Sequence, residues 1–206
     1  MQQDVRTYVP QTMSSEDLES MFRLRYEIFH EKLGWDVQTT NDGLERDAYD
    51  DVAGVAYVLA KGARHGSVDA CWRLLPTTGP YMLRDTFPEL LHGQPAPCSG
   101  NVWEMSRFAV ATSRADTANG AFGPISKALM RESAAFAAEH GIERYVTVTT
   151  PVMERMLRQQ GLHIHRMGPS IRIGIAAAVA VVIEVDHLTL DAVGYKGPRI
   201  SPTQSN

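Results

Sequence analysis

The stretch from Val102 to Pro151 constrains this chain most. Two apolar runs, "VWEMSRFAV" (102–110) and "ERYVTVTTP" (143–151), flank the amphipathic segment "AFGPISKALMRESAAFAAEHG" (121–141). That segment is entered through Pro124 and stops at Gly141, residue types favoured at the first helical position and just past a helix end. Strand, helix, strand is a βαβ-like unit, the connection that parallel strands require. Upstream, "VAYVLAKG" and "DACWRLLP" flank the turn "ARHGS" and read as an antiparallel pair. An antiparallel pair early and a βαβ unit late imply an α/β fold, a single-domain αβα sandwich whose mixed sheet carries helices on both faces. At 206 residues the chain can bury one sizeable core.

The remaining elements fit that plan. "SSEDLESMFRLRYEIFHEKLG" predicts a helix capped by Ser14 or Ser15, with acidic residues in its first turn and an end near Gly34. Arg25 and Phe29, four apart, then share a helical face. "WDVQTTNDGLERDAYDD" (35–51) has no clear period and reads as a long loop, a length usually kept for function or disorder. "TTGPYMLRDTFPELL" is a second irregular stretch, and "VMERMLRQQG" a last helix ending at Gly161. "LHIHRMG" and the region 171–185 close the sheet, with "IGIAAAVAVVIEV" as a buried small-residue strand too short to span a bilayer. The domain is expected to cover residues 1–194, followed by a loose tail over 195–206 rich in Pro, Gly and Ser.

Several function classes are disfavoured. A net charge of −4 argues against binding nucleic acid through bulk positive charge. Cys71 and Cys98 form neither a CxxC pair nor a zinc spacing, and both are expected to be buried thiols in a reducing cytosol. The N-terminus lacks the basic flank and apolar run of a signal peptide, so a soluble, cytoplasmic protein with no membrane partner is expected. His163 and His165 share a strand face, but two ligands without a third do not make a metal site, and no metal is expected.

The charges inside apolar runs are the informative ones, because an unpaired buried charge is costly. Along "VWEMSRFAV", alternation puts Glu104, Ser106 and Phe108 on one face and Arg107 on the other unless a bulge intervenes. Arg73 interrupts a second apolar strand. With Arg25, Asp47 and Asp50 these make three arginines and three carboxylates able to neutralise one another in a single cluster. Such a set is either structural ion pairing or, under a long aromatic-bearing loop, a site for a small charged molecule.

The ordered set "RLRYEIFHEKLGW" (Arg25, Phe29, Trp35), "ERDAYD" (Asp47, Asp50), "WRLLPTTGPYML" (Arg73), "FPEL" (Phe87) and "WEMSRFAV" (Glu104, Ser106, Arg107) resembles the acyl-homoserine-lactone synthases, the bacterial autoinducer synthase family. The likeness runs from about Leu18 to Val185, with Trp72 standing where the family usually has a small residue. It implies a fold similar to the Gcn5-related N-acetyltransferases. It also implies a reaction: an acyl group passes from acyl-carrier protein to the amine of S-adenosylmethionine, and the methionyl carboxylate then closes into a lactone and expels methylthioadenosine. S-Adenosylmethionine would be a substrate, and no cofactor is expected.

These residue types suit that chemistry. The attacking amine must be neutral, which calls for a base, and Glu104 in its apolar strand is the candidate. Arg25 and Arg107 are suited to a substrate carboxylate or to orienting Glu104. Asp47 and Asp50 can hold Arg25 or Arg73, while Phe29 and Trp35 can shield the adenosine and sulfonium. Phe87 completes the substrate set, and backbone N–H groups near Ser106 are placed to polarise a thioester. Met82, Met105 and Met153 are candidates to line an acyl tunnel with Thr147 and Thr149, and Thr147 matches a threonine that goes with 3-oxo donors in this family. Arg155, Arg158 and Arg166 make a basic patch, read either as a solvated helix face or as a dock for the acidic carrier protein.

Two rivals stand beside this reading. One is an N-acetyltransferase using acyl-coenzyme A on a small amine, although "SRADTANGAFGP" lacks the glycine-rich turn that usually cradles pyrophosphate. The other is a non-catalytic ligand-binding module on the same scaffold.

Overall fold

The computed structural model describes residues 4–111 and 122–198. Its strands are β1 (Val5–Tyr8), β2 (Ala56–Lys61), β3 (Val68–Pro76), β4 (Val102–Val110), β5 (Arg144–Thr149), β6 (Ile164–Arg166), β7 (Ile171–Ile173) and β8 (Ala176–Glu184). They join in the order β1-β2-β3-β4-β5-β8-β6, with β7 pairing the first residues of β8. Among these pairings only β4 and β5 run parallel, and helix α3 (Pro124–His140) lies between them in the chain. The predicted βαβ unit and mixed sheet are therefore both present.

Helix α1 (Ser15–Arg25) packs against one face of the sheet and α3 against the other, giving the αβα sandwich. On the α1 side, Met21 and Phe22 pack with Tyr57, Leu59, Leu75, Val102 and Val146. On the α3 side, Leu129, Met130 and Ala137 pack with Val58, Trp72, Leu74, Met105, Tyr145 and Ile183. Residues 56–60 of β2 are buried throughout, alternating between these two clusters, as a central strand covered on both faces must be. Burying each such aliphatic side chain contributes about 1.5–3 kcal/mol, and the two layers account for most of the drive to fold.

The ends of the helices follow their residues. Ser14 accepts the Asp17 N–H at 3.1 Å to cap α1, Pro124 opens α3, and Gly141 closes it at φ +65°, a left-handed turn that suits a residue without Cβ. Thr150 and Asp186 cap the two later helices, α4 (Pro151–Gln159) and α5 (His187–Ala192).

The structure departs from these expectations in five places. The first helix is not α-helical to Gly34, because from Tyr26 to Lys32 it opens into a π-helical turn. Strand β1 was unread, since four residues with one charge carry little pattern. The run expected as one strand over 173–185 is broken at Gly174 with φ +55°, so that β7 and β8 form a hairpin with Ile175 exposed at its tip. The irregular stretch 77–91 holds a short helix, α2 (Met82–Asp85), and a 3₁₀ turn over Pro88–Leu91. Cys71 is buried as expected, but Cys98 is exposed. Most of "SRADTANGAFGP" and most of the tail expected over 195–206 lie outside the described residues. Among the described residues no helix is long and apolar enough to cross a membrane.

Two irregularities in β4 prepare the site. Its ladder with β5 covers only Val102–Glu104 against Arg144–Val146, after which β4 pairs with β3 and β5 with β8. The sheet thus splits open just beyond Glu104. On the β3 side, Cys71 faces Ala109 while Arg73 faces Ser106, so Trp72 stands opposite two residues, Arg107 and Phe108. This β-bulge places Arg107 at φ +58°, a left-handed conformation that costs a non-glycine residue about 1–3 kcal/mol and persists only where surroundings over-determine it.

Candidate active site

The bulge decides which way the charges point. It turns Arg107 onto the α1 face beside Glu104 and Ser106, and sends Phe108 to the opposite face, where it meets Trp72 edge-on at 4.9 Å. Phe108 therefore does not share the face of Glu104, contrary to simple alternation, and Arg107 does.

On that face three guanidinium groups and three carboxylates interlock. Arg25 donates two parallel hydrogen bonds to Asp50 at 2.7 and 2.9 Å, and its Nε bonds to Glu45. Arg73 grips Asp47 through both Nη atoms at 2.5 and 3.1 Å, reaches Asp50 at 2.9 Å and donates from Nε to Ser106 Oγ at 3.0 Å. Arg107 binds Glu45 at 3.0 Å and Asp47 at 2.7 Å. Tyr57 donates its phenol to Asp50 at 2.9 Å. Burial alone would raise the Asp50 pKa, but Arg25 and then Arg73 outweigh it and hold that carboxyl well below the usual carboxylate range.

The loop that carries the acids is built for this. Asp47 and Asp50 form a capping box around the 3₁₀ turn Ala48–Asp51, the Tyr49 N–H donating to Asp47 and the Asp47 N–H to Asp50, both at 2.9 Å. Glu45 is pinned one step earlier by its backbone N–H on the Phe22 carbonyl at 3.1 Å. The π-helical turn seats Phe29 beneath the Arg107 guanidinium at 5.5 Å, with Trp35 stacked on Phe29 at 5.3 Å. Phe87 is half-buried against the same apolar layer.

Glu104 stands apart from the ion pairs. The third carboxylate of the cluster is Glu45 and not Glu104 as expected; Glu104 accepts instead the backbone N–H groups of Met82 and Leu83, at 2.9 and 2.6 Å, at the start of α2. It is buried to 1% exposure. Burial pushes its pKa up to about 7, although the two amides and the charges of Arg73 and Arg107 pull the other way. A carboxylate poised near neutrality beside the opening between β4 and β5 has the property of a general base.

The remaining candidates divide. Arg25 has no exposure and is closed into Glu45 and Asp50, so it orders the cluster. Met105 and Met153 join the α3-side cluster, and Thr147 and Thr149 alternate onto the same side as Tyr145. Met82 lies on the other face, its sulfur against Arg73 and Arg107 at 3.1 and 3.3 Å, and does not join them. A cavity of about 20 Å³ on the α3 side is lined by Trp72, Met105, Met130, Tyr145, Leu162 and Ile183. Arg155 is exposed on α4, while Arg158 and Arg166 both bond to the buried Glu154, at 3.1 and 2.8 Å, whose charge offsets one of the three positive charges of the patch. His163 pairs with Asp186 at 2.5 Å and touches His165 ring to ring at 4.6 Å. Glu45 and Tyr57 were missed. A tyrosine in the middle of a buried strand must find a partner for its hydroxyl, which is the signal Tyr57 offered.

A mixed sheet whose two parallel strands part midway, here beside the buried Glu104, is the kind of fold found in the Gcn5-related N-acetyltransferases. The comparisons sharpen this. The autoinducer synthase family model matches residues 10–193. An acyl-homoserine-lactone synthase of Pseudomonas aeruginosa is 41% identical over 172 residues, 84% of each chain. The crystal structure of the AHL synthase LasI superposes with a TM-score of 0.84 at 38% identity, covering 96% of this chain and 98% of that one. A CoA-dependent acyl-homoserine lactone synthase, BjaI, solved with SAM and isopentyl-CoA, superposes with a TM-score of 0.81 at 26% identity, covering 96% and 95%. The chain belongs to the autoinducer synthase family and is an acyltransferase of the acyl-homoserine-lactone synthase type, a producer of quorum-sensing signals.

Proposed function

We propose that this enzyme acylates the amine of S-adenosylmethionine from acyl-carrier protein and then lets the product lactonise, with release of methylthioadenosine. The observation that carries the reading is the place of Glu104, at the point where β4 and β5 part, between a charged face and an apolar one. The amino-acid end of the substrate meets Arg107 and Glu104 on the α1 side, and Phe29 and Trp35 cover its adenosine and sulfonium. The thioester enters through the gap, where backbone groups of β4 beyond Glu104 are free of the parallel ladder and can polarise its carbonyl. The acyl chain runs to the α3 side, along Met105, Met153, Thr147 and Thr149. Glu104 takes the proton of the ammonium, directly or through a water, so that the neutral amine can attack.

The donor divides this reading from a coenzyme A variant, because the relative BjaI is CoA-dependent. Carrier protein is favoured by the exposed Arg155 and the outer edges of Arg158 and Arg166 on a chain that is otherwise acidic. The α1-side cluster, with its paired aspartates and stacked aromatics, also makes a non-catalytic module an uneconomical reading of Glu104. The test is incubation with S-adenosylmethionine and matched acyl-carrier-protein and acyl-coenzyme A donors, with products read by mass. Charge reversal at Arg155 and Arg158 should raise KM for the carrier protein several-fold and leave KM for S-adenosylmethionine alone, as should moderate salt. Equal turnover of coenzyme A donors, insensitive to both treatments, would overturn the carrier-protein assignment.

A further inference from the structure

The hydrogen-bond ledger of the cluster leaves one position unlike the rest. Arg73 spends Nε on Ser106, Nη1 on Asp47 and Asp50, and one arm of Nη2 on Asp47. Arg107 spends Nε on Glu45, and Nη2 on Glu45 and Asp47. Beyond these contacts, the second arm of Arg73 Nη2 and the Arg107 Nη1 group reach neither a carboxylate nor Ser106. Both converge on a single acceptor, the thioether sulfur of Met82, at 3.1 and 3.3 Å. A thioether is a weak acceptor for two guanidinium groups, and two converging cationic donors are the arrangement that binds a carboxylate.

We propose that Met82 is a placeholder, its sulfur occupying the anion position between Arg73 and Arg107 that the substrate carboxylate takes when it binds. The inference rests on the functional reading given under Proposed function, and it names which contact of the free enzyme must be given up. Access favours it: the Arg107 side chain is 10% exposed, whereas those of Arg25 and Arg73 are closed to solvent. So does flexibility, because an unbranched methionine can swing its sulfur away while its backbone N–H stays on Glu104. The geometry also joins recognition to chemistry. The α-amine is carried on the carbon next to the carboxylate, so a carboxylate at the sulfur position brings that amine to Glu104, which accepts from the same residue's backbone.

The measurement uses the full chain with ¹³C-labelled methionine methyl groups, the Met82 signal being assigned by its loss in Met82→Leu. S-Adenosylhomocysteine carries the carboxylate and methylthioadenosine lacks it, while both carry the adenosine. S-Adenosylhomocysteine should move the Met82 resonance strongly, and methylthioadenosine should bind and leave it nearly in place. Met82→Gln, whose amide oxygen is a stronger acceptor, should raise Kd for S-adenosylhomocysteine about 3–10-fold and leave that for methylthioadenosine unchanged. Binding of both compounds with an equal or absent response at Met82, or an unchanged ratio of Kd values in Met82→Gln, would overturn the placeholder alone. Binding of neither compound would overturn the functional reading and this inference with it.

Discussion

On the α1 side of β4, Ser106 and Arg107 are tied into the ion pairs and Glu104 stands beside them; on the α3 side of the same strand, Met105 and Phe108 pack with Trp72, Phe122 and Met130. The apolar side stabilises by the area it removes from water. The charged side gains less, because taking six charged groups out of water costs nearly what their attraction returns. What the ion pairs provide is geometry: once each guanidinium is held by two or three partners, none can move alone. The left-handed backbone of Arg107 is kept in place by that constraint, tied at its carbonyl by the Cys71 thiol at 3.6 Å and at its side chain by Glu45 and Asp47. One face holds the fold and the other holds a shape.

The largest expected effect separates chemistry from both. Glu104→Gln should fold normally and lose about 10²–10⁴-fold in kcat, the usual cost of removing a general base. The pH dependence has a definite sign. Folding raises the Glu104 pKa from an ordinary 4.5 to about 7, so between those values the folded state holds the proton that the unfolded state has released. Stability should therefore fall as pH rises through that window, while kcat/KM should rise as Glu104 deprotonates near pH 7. Both trends should vanish in Glu104→Gln, and a variant that keeps near wild-type turnover would remove Glu104 from the mechanism.

A pair of truncations contrasts the faces directly. Asp50→Ala strands Arg25 and Arg73 in the interior and should cost about 3–5 kcal/mol by denaturant titration, together with most of the activity. Leu129→Ala on α3 should cost a comparable 2–5 kcal/mol while leaving kcat per folded molecule close to wild type. The stability supplied by Asp50 is present at neutral pH and should be lost as acid protonates it, because its folded pKa is depressed. Equal kinetic damage from the two variants would mean that the faces do not divide the labour.

The smallest effect sharpens the apolar side. Thr147 is buried on the side assigned to the acyl chain, and a plain fatty chain would leave its hydroxyl unpaired at about 1–3 kcal/mol. A medium-length 3-oxo donor should therefore be preferred, 3-hydroxy next, and Thr147→Val should shrink the kcat/KM ratio of 3-oxo to unsubstituted donors roughly tenfold. A ratio unmoved by the substitution would make the threonine structural.

Much of this was legible in the chain. Apolar runs, Pro124 and Gly141 announced the βαβ unit, and charges within apolar strands announced Arg73, Glu104 and Arg107 as a set. The capping-box spacing of Asp47 and Asp50 was also present, hidden in a stretch read as plain loop. Other features could not be read locally. Glu45 looks like any loop glutamate until its backbone is tied to Phe22, and Phe29 reaches Arg107 only because the helix opens into a π turn at Tyr26.

By itself, then, the sequence determined the periodicities, the caps, the family and the inventory of charges, because each depends on residues close together in the chain or on their order. The tertiary structure decided which carboxylate stays out of the ion pairs and which way Arg107 points. Both turn on the register between β3 and β4, where one extra residue shifts every later side chain of β4 to the opposite face. Register is set by two strands at once, and no window of one strand contains it.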